Sequence, residues 1–149
     1  MLALVQRVLR AEVTADGTVT GSIQKGLLVY LGVFAEDSEA DAAQLARKLV
    51  RLRIFSDEED KLNLSVTDVG GGILAISNFT LCGHIKSSGN RPSYSKAERP
   101  QRADALYEEF LAALAREGVP AQKGVFGADM QIDAVADGPV NFILDTRTM

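Results

Sequence analysis

The fold of this chain depends on residues 130–144, which read MQIDAVADGPVNFIL. Apolar and polar residues alternate before the Gly138-Pro139 step, and a second apolar run follows it, as in β-strands with one buried face. Proline donates no N–H to a sheet, so it belongs at an edge, a turn or a bulge. Glycine lets another backbone or a ligand approach closely. Gly138-Pro139 is therefore either a hairpin turn between two C-terminal strands or a place that presents bare carbonyls, and the turn is the commoner arrangement.

Other strands are predicted upstream of this segment. The first begins at residues 2–8, and Asp16-Gly17 between residues 13–15 and 18–20 is a two-residue hairpin signal. Residues 27–33 form an unbroken apolar run, typical of a strand buried on both faces. Three later strand positions are predicted from alternating or apolar runs: residues 51–55, residues 73–76, and the C-terminal strands from Val125-Phe126 onward.

Two amphipathic helices complete the pattern. The first is predicted over residues 39–51, with Ser38 as its N-cap. The second begins at Pro100 and is stopped by Gly118 and Pro120. The order β-β-β-α-β-β-α-β-β-β contains no repeat and predicts one α/β domain over residues 1–149, with mixed β-sheets and two helices packed on one face.

Composition narrows the functional classes. The chain has 149 residues, of which 46% are hydrophobic and 24% charged, which fits one globular domain. No apolar run approaches the ~20 residues that cross a bilayer, and the N-terminus lacks the pattern of a signal peptide. We therefore expect a cytoplasmic protein with no membrane partner. The single Cys82 excludes an internal disulfide, and the single His84 excludes a His-rich metal site.

Basic residues are concentrated in one segment. From His84 to Arg102 there are five basic residues and one acidic residue, although the whole chain has a net charge of −4. This segment includes a long Gly-, Ser- and Pro-containing loop before Arg99, and loops of that length are usually functional. The segment predicts contact with a phosphate-bearing partner, while a solvated loop followed by helix-start charges is the alternative.

The candidate chemistry lies at Ser77-Asn78-Phe79-Thr80-Leu81, where polar groups follow an apolar strand. Small-molecule sites favour such strand ends. Unpaired main-chain N–H groups there can stabilise a developing oxyanion, each by roughly 2.7–4 kcal/mol. That suffices for a bond that is already labile, such as an activated ester.

Side-chain chemistry offers three alternatives. Cys82 and His84 would share a face of a strand and could form a thiol–imidazole nucleophile pair. The Thr80 hydroxyl could be a nucleophile, but the sequence offers no base beside it. Three acidic residues that recur every four positions could form a metal-dependent nuclease site: Asp129, Asp133 and Asp137.

Five segments together resemble D-aminoacyl-tRNA deacylases, in the same order along the whole chain. They are MLALVQRV at 1–8, RIFSD at 53–57, SNFTL at 77–81, RPSY at 91–94 and DGPV at 137–140. The family hydrolyses the ester that joins a D-amino acid, or glycine mischarged on alanine tRNA, to tRNA. The resemblance implies a three-layer α/β/β fold and a homodimer that acts on aminoacyl-tRNA. It also implies that substrate RNA hydroxyls help catalysis. We expect no cofactor and assign no metal ligands.

The resemblance assigns roles to individual residues. The implied catalytic residues are Ser77, Asn78, Phe79 and Thr80, with Phe79 and Thr80 acting through their N–H groups. The implied substrate-binding residues are Gly138, Pro139, Leu81, Lys86 and Arg91. The sequence departs from the family pattern at Asn78, where Gln is usual, and at Asn141, where Thr is usual. The loss of one methylene at Asn78 puts a side-chain contact to the substrate in doubt, but main-chain donors would survive.

The resemblance further implies that Gly138-Pro139 is a cis peptide that enters the partner subunit's site. Two fixed carbonyls could hold the substrate's α-ammonium group, so that an L side chain meets main chain and a D side chain points to solvent. Glycine has no Cβ and would not be rejected. A non-catalytic RNA-binding module on the same scaffold remains the competing function.

Overall fold

A computed structural model describes residues 1–149 as ten strands, two helices and one 3₁₀ turn. The strands are β1 (Leu2–Ala15), β2 (Thr18–Ile23), β3 (Gly26–Gly32), β4 (Phe55–Ser56), β5 (Leu62–Leu64), β6 (Gly72–Ser77), β7 (His84–Ile85), β8 (Pro92–Ser93), β9 (Gln122–Lys123) and β10 (Met130–Asp145). The helices are α1 (Glu39–Val50) and α2 (Pro100–Arg116), and the 3₁₀ turn is Phe79–Cys82.

Six strands form one mixed sheet in the order β10-β1-β3-β6-β9, with β2 also paired to β1. β1 runs antiparallel to β10, β2 and β3, whereas β3, β6 and β9 run parallel to one another. Two short hairpins, β4–β5 and β7–β8, lie outside this sheet. The predicted mixed α/β architecture is confirmed.

The central strands are buried on both faces, which explains their unbroken apolar sequences. One face of β3 and β6 packs on the two helices and forms the larger of two cores. Leu45 and Leu49 of α1 belong to this larger core. The opposite face carries Leu28 and Leu74, which belong to a smaller core. The helices therefore cover one face only, as predicted.

The smaller core is closed by strands of the same sheet. It contains Ala11 and Val13 from the second half of β1 and Ile23 from β2, and Met130 and Ile132 of β10 pack against it. The curled sheet thus provides the second and third layers of an α/β/β arrangement. At Gly21 of β2 a Cβ atom would lie 2.8 Å from the Lys123 carbonyl oxygen, so only glycine permits this closure.

Local signals in the sequence predicted several elements correctly. The Asp16-Gly17 hairpin, the buried strands and the two helices are all present. Ser38 caps α1 in a capping box with Asp41. Both Asp16 and Gly17 have positive φ, as a two-residue hairpin of this kind requires.

The C-terminal turn was a wrong prediction. β10 is one strand of 16 residues that continues through Gly138-Pro139, and this peptide bond is cis. Its ladder with β1 runs from Leu2 opposite Asp145 to Ala15 opposite Met130. The two apolar runs are therefore halves of one strand, and Gly138-Pro139 is a bulge within it.

Three further predictions need correction. Residues 51–54 do not form a strand, because the Arg51 N–H still bonds to the Arg47 carbonyl at the end of α1. No strand begins at Val125-Phe126; residues 124–129 form the connection between β9 and β10. The long loop before Arg99 contains the β7–β8 hairpin.

Neither helix combines the length and the apolar sequence that a membrane crossing needs.

Candidate active site

A cleft of about 740 Å³ opens where β6 ends. Five parts of the fold form its walls: β3 at Tyr30, the end of β6 with the 3₁₀ turn, the segment before α2, the first turn of α2, and the connection into β10 with the start of that strand. The lining residues are Tyr30, Ile76, Ser77, Asn78, Phe79, Thr80, Tyr94, Ala97, Glu98, Pro100, Ala103, Phe126, Gly127, Ala128, Asp129, Met130 and Ile132. All four residues predicted to be catalytic therefore line one cleft.

Asn78 determines how the chain turns at this strand end. Its N–H donates to the Leu31 carbonyl at 2.8 Å, which is the last bond that ties this strand to β3. Its Oδ1 then accepts from the Thr80 N–H at 3.2 Å and from the Thr80 hydroxyl at 2.5 Å. Asparagine is a preferred N-cap because its short side chain can satisfy such first-turn donors.

Phe79 is the first residue of the 3₁₀ turn, so its N–H has no partner within the turn. The Phe79 side chain is 60% exposed, and its ring centroid lies 5.0 Å from that of Tyr94 across the mouth of the cleft. The Phe79 amide is thus positioned at the end of a buried strand, beside an aromatic pair.

The Thr80 N–H differs from the sequence-based expectation of a free donor. It is already bonded to the Asn78 side chain. For Thr80 to act as a second oxyanion donor, the Asn78 amide must rotate away. Sequence reasoning missed this contact because it depends on a side-chain rotamer of Asn78, the position where Gln is usual in the family.

Gly138 and Pro139 lie elsewhere on the molecule. The β1–β10 ladder pairs Gln6 with Asn141 and next pairs Val8 with Ala136, so residues 137–140 bulge opposite Arg7. Gly138 and Pro139 are exposed and do not line the cleft. One copy of the chain therefore does not bring the predicted catalytic and selectivity residues together.

Arg7 supports this bulge from β1. Its Nη1 donates to the Ile54 carbonyl at 2.9 Å, and its Nε lies 3.1 Å from Asp137 Oδ2 without the alignment of a hydrogen bond. Its Nη2 is 3.4 Å from the point where a Cβ atom would stand at Gly138. A largely buried guanidinium thus connects the bulge to the body of the protein.

Comparison with known proteins shows to which family a chain with this fold and cleft belongs. A sequence model described as D-Tyr-tRNA(Tyr) deacylase matches residues 4–145. This chain belongs to that family. A D-aminoacyl-tRNA deacylase of Deinococcus radiodurans is 54% identical over 145 residues, which are 97% of this chain and 99% of the relative.

Solved structures show the same fold as this deacylase. One named c-Myc DNA Unwinding Element Binding Protein has a TM-score of 0.89 and 38% identity, covering 97% of this chain and 98% of that one. Another, of a probable eukaryotic D-amino acid tRNA deacylase, has a TM-score of 0.82 at 15% identity, covering 96% and 97% of the two chains. The second resemblance is one of fold alone.

The thiol alternative does not fit the geometry of the deacylase. Cys82 is buried, and its Sγ donates to the Val33 carbonyl at 3.3 Å. Burial, with a smaller effect from the Asp37 carboxylate, raises the pKa of Cys82 to about 11. The reactive thiolate is therefore scarce at neutral pH. Neither Cys82 nor His84 lines the cleft.

The acidic alternative is also unsupported. Asp133 pairs with Arg10 at 3.1 Å and Asp137 with Arg7, so the two carboxylates have different partners. Only Asp129 lines the cleft. Nowhere in the structure do three or more His, Cys, Asp or Glu side chains converge as metal ligands would.

The remaining predicted binding residues occupy different environments. Leu81 is half-buried and packs against Gly32, where a Cβ atom would lie 3.0 Å from Leu81 Cβ. Lys86 and Arg91 are exposed in the β7–β8 hairpin and make no ion pair. Arg102 is different, because its guanidinium is tied to Glu98 and to the carbonyl of Asp37. Lys96 and Arg99 are also exposed without an ion pair, so Arg102 is the one paired cation of the basic segment.

Several cleft residues escaped the sequence analysis. Tyr30 is the one half-buried residue in the otherwise buried β3, and burial raises the pKa of its hydroxyl. A tyrosine within an apolar run was a signal that could have identified this cleft residue from the sequence. Phe126 and Met130 gave none, because only the long-range fold places the connection into β10 against the end of β6.

We expect Cys82→Ala to retain D-aminoacyl-tRNA hydrolysis within a few-fold of wild type, because the buried thiol has a raised pKa and lies outside the cleft. Steady-state deacylation, with thermal unfolding to check the fold, measures this. In the wild-type protein at pH 8, Cys82 of the folded state should react with a thiol reagent on the order of 100-fold more slowly than Cys82 of the protein unfolded in urea. A well-folded but inactive Cys82→Ala protein would restore the thiol mechanism.

Proposed function

We propose that this deacylase removes D-amino acids from tRNA with main-chain groups at the end of β6. The observation that carries this is the Asn78-capped turn, which leaves the Phe79 N–H at the cleft. When water attacks the ester carbonyl carbon, negative charge develops on the carbonyl oxygen. One positioned N–H donor contributes roughly 2.7–4 kcal/mol to the stabilisation of such an oxyanion. The tRNA ribose oxygen is the leaving group.

No side chain of the chain is assigned as the general base. Ser77 and Thr80 have no imidazole beside them, and the Thr80 hydroxyl is engaged with Asn78. In the substrate, the terminal ribose carries a second hydroxyl group beside the esterified one, and this hydroxyl can relay a proton. Binding and orientation then supply much of the acceleration.

The working form in this proposal is a homodimer joined through β10. This strand is an edge of the six-stranded sheet, and its 16 residues are exposed over most of their length. Phe142 and Ile143 are 40% and 68% exposed on successive positions, so both faces of the edge present apolar side chains. Long exposed edges of this kind are templates for pairing with another chain.

Dimerisation would bring the bulge of one copy to the cleft of its partner. The exposed carbonyls of Gly138 and Pro139 then hold the substrate's α-ammonium group. With that group fixed, an L side chain would collide with main chain, while a D side chain points away. Handedness is read without any contact to the side chain itself.

Glycine passes this filter because it has no Cβ. The proposed substrates therefore include glycine mischarged on alanine tRNA. The exposed Lys86 and Arg91 of the β7–β8 hairpin lie in the segment that leads into the cleft wall at Tyr94, where they can meet tRNA phosphates. The whole chain acts as one domain, in the cytoplasm, where charged tRNA is used.

We expect the purified protein to cleave D-Tyr-tRNA and Gly-tRNA(Ala) and to leave L-Tyr-tRNA intact, with a D-to-L ratio of at least about 100. Release of labelled amino acid under matched conditions measures all three rates. Equal cleavage of both tyrosine enantiomers would exclude the filter. Binding of all three without cleavage would leave the RNA-binding module as the function.

The oxyanion donor can be tested by comparing Phe79→Pro with Phe79→Ala. Both remove the aromatic ring, but only proline removes the N–H. Proline is compatible with the first position of the turn, and Asn78 already lies in the extended region that proline favours for the residue before it, with φ −145° and ψ 92°. We expect kcat to be about 10²–10³-fold lower in Phe79→Pro than in Phe79→Ala. Equal kcat values would remove this role from Phe79.

A site shared between subunits predicts complementation. In Gly138→Ala a Cβ atom would stand 2.7 Å from the Val140 main-chain nitrogen, so the bulge must move, and we expect kcat/KM to fall roughly 100-fold. Phe79→Pro damages the cleft instead. A heterodimer of the two, isolated with two affinity tags, has one doubly damaged site and one intact site.

That heterodimer should show about half of the wild-type activity per dimer, since one of its two sites is whole. If each site were built within one subunit, both sites of the heterodimer would carry one lesion. The heterodimer would then be as inactive as either single variant, and the shared site would be disproved.

A further inference from the structure

A second groove, of about 730 Å³, lies at the C-terminal end of α1. Its walls are the last two turns of α1, the residues that follow the helix, and the end of the chain. The lining residues are Gln44, Arg47, Lys48, Arg51, Leu52, Arg53, Thr148 and Met149. Four of the eight are cations and none is an aspartate or glutamate, on a chain whose net charge is −4.

These cations are available to a partner. The Arg47 and Arg51 side chains are 57% and 70% exposed and share one carboxylate, Glu117, at 3.5 and 3.7 Å. Lys48 has no ion pair, and Arg53 donates only its Nε, to the Asn63 carbonyl. Exposed pairs at such distances contribute little stability. One or two cations would be enough to complement the helix dipole here, so the set exceeds what α1 needs.

The groove is built for a polyanion and not for a small molecule. Small-molecule sites are mainly apolar with a few converging polar groups, whereas only Leu52 and Met149 among the lining residues are apolar. Long Arg and Lys side chains on an open surface are instead how proteins hold successive phosphates of a nucleic-acid backbone.

The position of the groove determines how long that partner must be. Pro100 and Ala103, in the first turn of α2, line the cleft, while Glu117 at the other end of α2 contacts the arginines of the groove. The 17 residues of α2 span about 25 Å. A partner that reaches from cleft to groove must therefore span about 25 Å, far more than one nucleotide. Along the way Glu108 and Glu109 are each paired with a cation.

We propose that this groove binds the phosphate backbone of the tRNA body while the aminoacyl end occupies the cleft. The inference rests on the proposed function for its partner, and it adds a contact surface separate from the Lys86 and Arg91 hairpin. The terminal aminoacyl-adenosine is too short to reach the groove, so the groove affects only substrates that carry the RNA stem.

The test compares Lys48→Gln/Arg51→Gln with Lys25→Gln/Lys61→Gln, which removes two exposed cations that do not line the groove. For each protein, binding of full-length tRNA is measured over a series of salt concentrations, and hydrolysis is measured with D-Tyr-tRNA and with D-tyrosyl-adenosine. We expect the groove variant to reduce the log–log salt slope by about 1.4–1.8, at 0.7–0.9 per lost phosphate contact. Its kcat/KM should fall for D-Tyr-tRNA and stay unchanged for D-tyrosyl-adenosine, and the control variant should match wild type.

Three outcomes would overturn the groove assignment. They are an unchanged slope in the groove variant, an equal decrease in the control variant, and an equal decrease for duplex DNA of the same length, which would show a patch without preference for tRNA. Failure of the proposed function has a different signature, since wild type would then not cleave D-tyrosyl-adenosine. The salt slopes still decide the groove in that case.

Discussion

The structure depends on the pairing of β1 with β10 and on its interruption between Gln6 and Arg10, where the register shifts twice. On one side of the interruption, Ala3 and Val5 of β1 face the helices; on the other side, Ala11 and Val13 face the smaller core. Alternation alone would keep these odd-numbered residues on one face. Val8 already belongs to the smaller core, so the faces of β1 exchange between Val8 and Ala11, where Leu9 is the extra residue of the second shift. The first shift, opposite Arg7, frees the main chain at Gly138 from the ladder. Layering and site geometry therefore depend on two adjacent shifts in one ladder.

The sequence predicted features that depend on residues close together in the chain, and it missed contacts between residues far apart in the chain. Ser38 caps a helix three residues from its partner Asp41, and Asp16-Gly17 turns a hairpin within four residues, so these were read correctly. The Gly138-Pro139 step looked like a turn because its true partner, Arg7, is 131 positions away in the chain. The whole-chain resemblance corrected this only by implication, and the contact of Asn78 with Thr80 appears in no sequence pattern.

The site that we propose relies on backbone groups more than on side-chain chemistry. Its cleft contains no histidine, and the one cysteine of the chain is hydrogen-bonded inside the core. Labile esters permit this, because their hydrolysis needs stabilised charge and a fixed geometry more than a strong nucleophile. Strand pairing between β3 and β6 supplies that fixed geometry up to Asn78, where the last ladder bond ends.

A backbone-built site also determines which genetic changes are harmful. Amides and carbonyls are common to nearly all amino acids, so in the proposed site most missense changes at residues 77–81 leave the reacting groups in place, and Asn78, where the family usually has Gln, illustrates this latitude. Gly138 is an exception, because any Cβ there would meet the Val140 main chain. A single inserted or deleted residue in β6 or β10 would be far more damaging. It would shift every later group by one position and turn it toward the opposite side of its strand.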